Sequence, residues 1–284
     1  MSNVNQQITA AILDQLDKGV IPWTKPWVVN STGIVSHDRG RPYGLRNRML
    51  LNFAGEYATF NQIKKAGGSV KKGEHGQVVY FAKNVAKKDD SGEVTDVYYL
   101  LRGYTVFRVG SQTEGVETLY NHLWEYGGVP LSNDAALAVV KEYTDRVGIQ
   151  LIGGGAEAFY SPSKDTVQCP GVDSFPKREL FYKTLFHELI HSTGRDDRCK
   201  RPTGDTFGSS DYAVEELVAD IGACLCMGRL GLQVNQAIPE TAAYVASWKK
   251  HISNFKQTDF STCIWRAEEA VRFIFNDKEH KDEQ

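Results

Sequence analysis

The sequence predicts an α+β protein of two domains: an N-terminal module mixing short helices with a long β-hairpin, and a mostly helical C-terminal domain carrying a second hairpin. Three observations support this. The chain has 284 residues, about twice a typical domain of roughly 150. Hydrophobic residues make up 41% and charged residues 24%, a globular composition rather than that of a disordered chain. Strand-like patterning is concentrated in 77–110 and 151–171, whereas helical periodicity dominates from 176 onwards.

Residues 5–18 set Ile8, Ile12 and Leu16 at i, i+4 and i+8 ahead of Gly19, a helix with its stop. The following IPWTKPW (21–27), with two prolines and two tryptophans, reads as an extended aromatic turn. Short helices are expected at 43–54, whose basic face carries Arg46 and Arg48, and at 59–66, capped by Thr59 and ended by Gly67 and Gly68. Runs 77–86 and 94–110, joined by the turn DDSG, read as a hairpin. The first domain is placed at 1–127 and the second at 128–284, with a Gly-rich linker over 111–132. In the second domain Asn133 caps an amphipathic helix, and 151–171 is a hairpin turning near Ser163 to Asp165. Helices follow at 176–194, 212–231, 239–256 and 260–276, and the charged tail frays.

Composition excludes several classes of function. No apolar run reaches the roughly 18 residues of a membrane span; the best stretch, 221–232, contains Arg229, so no membrane partner is expected. The amino terminus lacks the basic and apolar regions of an export signal. The five cysteines are therefore expected to be reduced, in a cytoplasmic protein. The net charge of −2 hides a polarity, because residues 39–88 hold 11 basic side chains against two acidic ones. A basic segment in a nearly neutral chain points to a local anionic partner.

The clearest chemical signal is His187-Glu188-Leu189-Ile190-His191. On a helix, i and i+4 share a face, so both imidazoles can approach one cation, and Glu188 can be directed at a water beside it. A catalytic zinc takes three protein ligands and leaves one position open. The third ligand is assigned to Glu216 on the next helix, with Glu215, about 100° round that helix, as its competitor. Asp220, one turn beyond Glu216, is expected to orient His187 through the ring nitrogen that does not face the metal. Tyr160 and Tyr212 are alternative donors to an oxyanion, and 158–168 is either an edge strand for an extended peptide or a core hairpin. Cys224 and Cys226 read as buried thiols, and His251 as a solvated residue.

These motifs lie within a longer pattern. In order, GVIPWTKPW (19–27), PYGLRNRMLL (42–51), 58–83, YTVFRV (104–109), AFYSPSKDTVQCP (158–170), LFHELIHSTGRDDR (185–198), FGSSDYAVEELVADIGA (207–223) and AAYVASWKKHI (242–252) give a chain that resembles the ArdC antirestriction proteins over nearly its full length. The resemblance implies an N-terminal module binding single-stranded DNA and a C-terminal zincin-like metallopeptidase domain. Arg108 and Ser192 depart from the family pattern without touching the expected ligands. Sequence-tolerant single-strand binding needs cations for phosphates and rings for bases. The candidates are Arg46, Arg48, Lys64, Lys65, Lys71 and Lys72, with Trp23, Trp27, Tyr43 and Phe81, although each aromatic also suits a core. The expected function is an antirestriction protein that binds entering single-stranded DNA and carries a Zn2+-dependent peptidase domain acting on a peptide or protein. The alternatives are a DNA-dependent metalloprotease and a non-enzymatic binder with a structural zinc.

Overall fold

The structure, a computed structural model, describes residues 4–29, 33–88, 94–120, 133–202, 210–234, 242–253, 255 and 259–277, with the backbone alone at 26–27, 82–88, 94–100, 133–134, 210, 242 and 259. Contacts divide the chain into two units, residues 1–12 with 31–126, and residues 13–30 with 127–284. The segment 13–30, which the sequence places in a continuous first module, thus packs with the second unit.

Helix α1 (Val4–Asp17) buries Ile8, Ile12 and Leu16 as their spacing requires. The expected extended turn over 21–27 is instead a 3-10 turn, Pro22–Thr24, followed by the short helix α2 (Pro26–Val29). Both start on proline, which suits a first helical position because that N–H has no intrahelical partner anyway.

The first unit is built on a four-stranded sheet of order β1-β2-β5-β4: β1 (Ile34–Ser36), β2 (Gly55–Thr59), β4 (Gln77–Lys88) and β5 (Val94–Arg108). Strands β4 and β5 form the expected long hairpin, but the parallel β1–β2 pair has no signature in local sequence. Its cross-over helix α3 (Leu45–Leu50) is shorter than the expected 43–54, because the chain must turn back into β2. Glu56 of β2 is fully buried, an unreadable choice for a strand until its partners are seen. His37 and the backbone N–H groups of Leu119 and Tyr120 take its carboxylate. Helix α4 (Phe60–Lys65) opens on a capping box, with the Thr59 hydroxyl accepting from the Gln62 N–H and the Gln62 side chain accepting from the Thr59 N–H. A small ladder of β3 (Ser69–Val70) with β6 (Thr113–Glu114) completes the described part of this unit.

The second unit contains α5 (Asn133–Val147) and a three-stranded sheet of order β7-β9-β8, from β7 (Gln150–Gly153), β8 (Phe159–Ser161) and β9 (Thr166–Cys169). The β8–β9 hairpin turns on Asp165 at φ +48°, where expected, and β7 adds to it in parallel. Among the described residues four α-helices follow, α6 (Arg178–Ser192), α7 (Ser210–Arg229), α8 (Ala242–Ser253) and α9 (Asp259–Ile274). Helix α7 is the hub, packing on α6 with one face and on α9 with another. Its Leu217, Val218, Ile221, Cys224 and Cys226 are fully buried, which confirms the thiols as core. Among the described residues no helix is long and apolar enough to cross a membrane.

Candidate functional site

Burial of Tyr182, Leu185, Phe186, Leu189 and Ile190 fixes the rotation of α6, leaving His187 and His191 on its half-exposed side. Their Nε2 atoms lie 3.1 Å apart. From α7 the Glu216 carboxylate reaches across, one oxygen 3.5 Å from His187 Nε2 and the other 3.5 Å from His191 Nε2. All three ligand atoms lie within 4.8 Å of one another. Zinc bonds of about 2.0–2.2 Å in a tetrahedron put neighbouring ligand atoms about 3.3 Å apart. The His–His separation of 3.1 Å and the closest approach of a Glu216 oxygen to each imidazole, 3.5 Å, are near this spacing, so the donors fit a divalent ion.

Two helices carrying such a triangle must approach closely, and one glycine permits it. A Cβ on Gly222 of α7 would lie 2.7 Å from Ile190 Cδ1 and 2.9 Å from Cγ1. Only a bare α-carbon leaves room for Ile190 of α6.

Glu215 and Glu216 divide their roles by side of the helix. Glu215 is 3% exposed and accepts two hydrogen bonds from Arg201, Nε at 3.1 Å and Nη2 at 2.8 Å. Its Oε1 also lies 3.3 Å from His191 Nδ1. Burial pushes this carboxyl up, but the bonds from His191 and Arg201 outweigh it and hold it below its ordinary value. A proton on Nδ1 facing this anion leaves the His191 Nε2 lone pair for a cation. Arg201 also donates to the Ile190 carbonyl at 2.8 Å and to the Thr193 hydroxyl at 2.6 Å, so it closes the C-terminus of α6. Sequence reasoning missed this orienting pair; the signal was the cluster of arginines after His191.

Asp220 does not perform the role expected of it. Its carboxylate takes Lys183 Nζ at 2.7 Å, Trp23 Nε1 at 2.8 Å and the Tyr244 hydroxyl at 2.7 Å, rather than the His187 ring. The reason is helical register. Lys183 precedes His187 by one turn and Asp220 follows Glu216 by one turn, so the ion pair stacks beneath the ligand layer instead of joining it. Burial raises the Asp220 carboxyl, yet Lys183 holds it below the usual carboxylate range. Trp23 is thereby corrected as well. It is fully buried, with its ring edge-on to Trp248 at 5.9 Å, and offers no face to a nucleobase.

Glu188 is 9% exposed. Its charge acts on His191, Cys169 and Tyr212, which places it near these groups. Tyr212 hydrogen-bonds to Glu216, and burial followed by that carboxylate pushes its hydroxyl up to about 12. Tyr160 instead donates to Asp165 at 3.0 Å, closing its own hairpin beside Arg195 and Arg198. Of the two tyrosines, Tyr212 is the one beside the candidate ligands.

The expected nucleic-acid residues separate in the first unit. Arg48 is 7% exposed and spends its guanidinium on the Tyr43 carbonyl at 2.9 Å, so it is a core residue, because its helix face turns inward. Lys71 is tied to the carbonyls of Gly110 and Ser111 at 3.2 and 2.7 Å. Lys64, lying over the Phe60 ring, Lys65 and Lys72 are exposed, and Arg46 is half-buried. Tyr43 is buried against Phe81, and both line a cleft of about 550 Å3. The Trp27 side chain lies outside the described residues. Arg39, Arg41 and Tyr104, which sequence reasoning passed over, border the same cleft.

Comparison with known proteins agrees with this architecture. Residues 2–107 match the N-terminal domain of anti-restriction factor ArdC, and residues 138–264 match a zincin-like metallopeptidase family. The metal-free crystal structure of antirestriction ArdC protein from R388 plasmid superposes with a TM-score of 0.72 at 26% identity, covering 96% of each chain. The Mn(II)-bound structure of that protein gives 0.70 at 26% identity, covering 96% of this chain and 97% of that one. DNA primase TraC of Escherichia coli is 29% identical over 265 residues, which is 87% of this chain and 24% of TraC, so the chain spans about a quarter of that relative. With both domain matches in this order and the fold of the R388 protein, the chain joins an ArdC-like N-terminal domain to a zincin-like metallopeptidase domain.

Proposed function

We propose that this protein acts in the cytoplasm as an antirestriction factor that binds single-stranded DNA through its first unit and hydrolyses peptide bonds at a zinc site in its second. His187, His191 and Glu216 hold the ion in this reading, and Glu188 is the general base. The observation that carries the peptidase half is the donor cluster, two Nε2 atoms 3.1 Å apart with one Glu216 oxygen 3.5 Å from each. Three protein donors are the ligand number of a catalytic zinc, whereas structural zinc sites use four. The Mn(II)-bound R388 relative supports a divalent ion here.

A zinc ion supplies Lewis acidity, polarising a carbonyl and making a nearby water acidic near neutral pH. Glu188 takes that water's proton and passes it to the leaving amine. Tyr212, whose hydroxyl stays protonated at neutral pH, donates to the carbonyl oxygen as negative charge develops. Glu215 and Arg201 hold the His191 ring in position. Strand β8 ends its sheet and offers an edge for an extended peptide.

The test pairs hydrolysis with protection. Purified protein replenished with Zn2+ is expected to cut a denatured protein substrate, and Glu188→Gln to keep the metal while losing cleavage. Undiminished cleavage by Glu188→Gln, or elemental analysis finding no ion bound after Zn2+ addition, refutes the peptidase half. In a DNA-transfer assay into a restricting host, loss of protection in Glu188→Gln assigns the biology to proteolysis. Loss on charge reversal of Lys64, Lys65, Lys71 and Lys72 assigns it to DNA binding.

A further inference from the structure

We infer that the cleft bordered by Tyr43, Phe81 and Tyr104 is a base-stacking platform for single-stranded nucleic acid, with Arg39, Arg41 and Arg102 beside it for the phosphates. The inference rests on the single-strand reading above and says where in the first unit the strand is held.

Strand register builds the platform. In the β4–β5 ladder Val79 pairs with Tyr104, Phe81 with Arg102 and Gln77 with Val106, so these side chains share one face of the sheet. Val79 and Val106 are buried in it, whereas Phe81 is 46% and Tyr104 41% exposed. Tyr43, just ahead of α3, is laid over the same face. Ring centroids run Tyr43 to Phe81 at 5.8 Å and Phe81 to Tyr104 at 5.7 Å. The interplanar angles of 42° and 68° mean that the rings do not lie flat on one another; Tyr43, 6% exposed, backs the platform, and ring surface of Phe81 and Tyr104 stays open to a guest. The cleft volume, about 550 Å3, is that of a ligand site. Folding gains nothing from leaving two large rings half in water side by side, so they read as a binding surface.

The rim decides the class of guest. Arg39 and Arg41 line the cleft and exposed Arg102 stands across from Phe81, against one carboxylate, Asp38, which lies 3.5 Å from Arg39 Nε. Rings with guanidiniums beside them suit a polyanion of flat groups, which is how single strands are held without sequence readout. Duplex bases already have their faces stacked and cannot use the rings. Thr59 and Gln62 also line the cleft, but their side chains are engaged in the capping box. Stacking and phosphate contacts, rather than base-edge readout, then carry most of the affinity, so weak base preference is expected.

The test uses the full chain and a fluorescein-labelled oligothymidylate, followed by anisotropy across a salt series. Phe81→Ala and Tyr104→Ala are each expected to weaken binding about 5- to 150-fold, the fold-change of one lost base stack, without changing the salt slope. Phe81→Trp, which keeps a ring, is expected to retain binding, and Arg39→Ala with Arg41→Ala to flatten the salt slope. If the wild type binds the oligonucleotide and folded Phe81→Ala and Tyr104→Ala bind as tightly, the platform is wrong while the single-strand reading stands. If the wild type binds no oligonucleotide, or binds a duplex of the same length equally well, the reading fails and takes the platform with it.

Discussion

Glu215→Gln and Glu216→Gln differ by one position and the structure separates their consequences. The Glu215 carboxylate is 3% exposed and holds a guanidinium, 1% exposed, through two hydrogen bonds. Removing its charge leaves Arg201 buried without its hydrogen-bonded counter-ion, which costs about 3–5 kcal/mol. With a urea m-value of about 2 kcal/mol/M, that moves the unfolding midpoint of the metal-free protein down by about 2 M. The same change loosens His191, so zinc affinity falls roughly 10- to 100-fold, as when a ligand's orienting partner is removed. Glu216 is 29% exposed and holds no buried guanidinium; its partners are the two imidazoles at 3.5 Å and the Tyr212 hydroxyl. Glu216→Gln is therefore expected to change metal-free stability by less than about 1 kcal/mol and, as the loss of a proposed ligand, to abolish tight zinc binding. Urea titration in EDTA, followed by chelator competition for zinc, measures both quantities. Equal metal-free stability of the two variants, or unchanged zinc affinity in Glu216→Gln, contradicts the division of roles.

Three further outcomes follow from the packing. Trp23→Phe removes a hydrogen bond to a buried carboxylate and is expected to cost about 1.5–3 kcal/mol, which thermal unfolding reads; an unchanged midpoint contradicts the buried hydrogen bond. Gly222→Ala drives a methyl against Ile190, costing about 1–3 kcal/mol and weakening zinc binding; the double variant with Ile190→Val should recover part of both. The third outcome is a pH dependence. Asp220 has a folded carboxyl pKa below its ordinary value of 3.8. Its stabilisation is therefore fully present above about pH 5 and disappears as pH falls through the folded pKa. Chemical denaturation in EDTA should show a constant gap between wild type and Asp220→Asn from pH 8 to about 5, narrowing below pH 4. A gap that widens on acidification has the wrong sign and rejects the assignment.

What the sequence determined by itself is what a few neighbouring residues decide. His187 and His191 share a face because they stand four apart on a helix, and Thr59 caps because Gln62 lies three residues on. The hairpins β4–β5 and β8–β9 pair strands that are neighbours in sequence. Those local rules delivered the fold class, the paired imidazoles and a carboxylate from the Glu215-Glu216 dipeptide. Tertiary structure decided everything that depends on how a helix is rolled about its own axis. Ile190 against Gly222 sets α7 so that Glu216 enters the triangle and Glu215 meets Arg201, and it turns Asp220 to Lys183 and Trp23. Parallel strand β7, the inward Arg48 and the membership of 13–30 in the second unit arise in the same way. Partners separated by up to 197 residues, as Trp23 and Asp220 are, leave no periodicity for a local pattern to detect; burial selects them only once the surrounding core has formed.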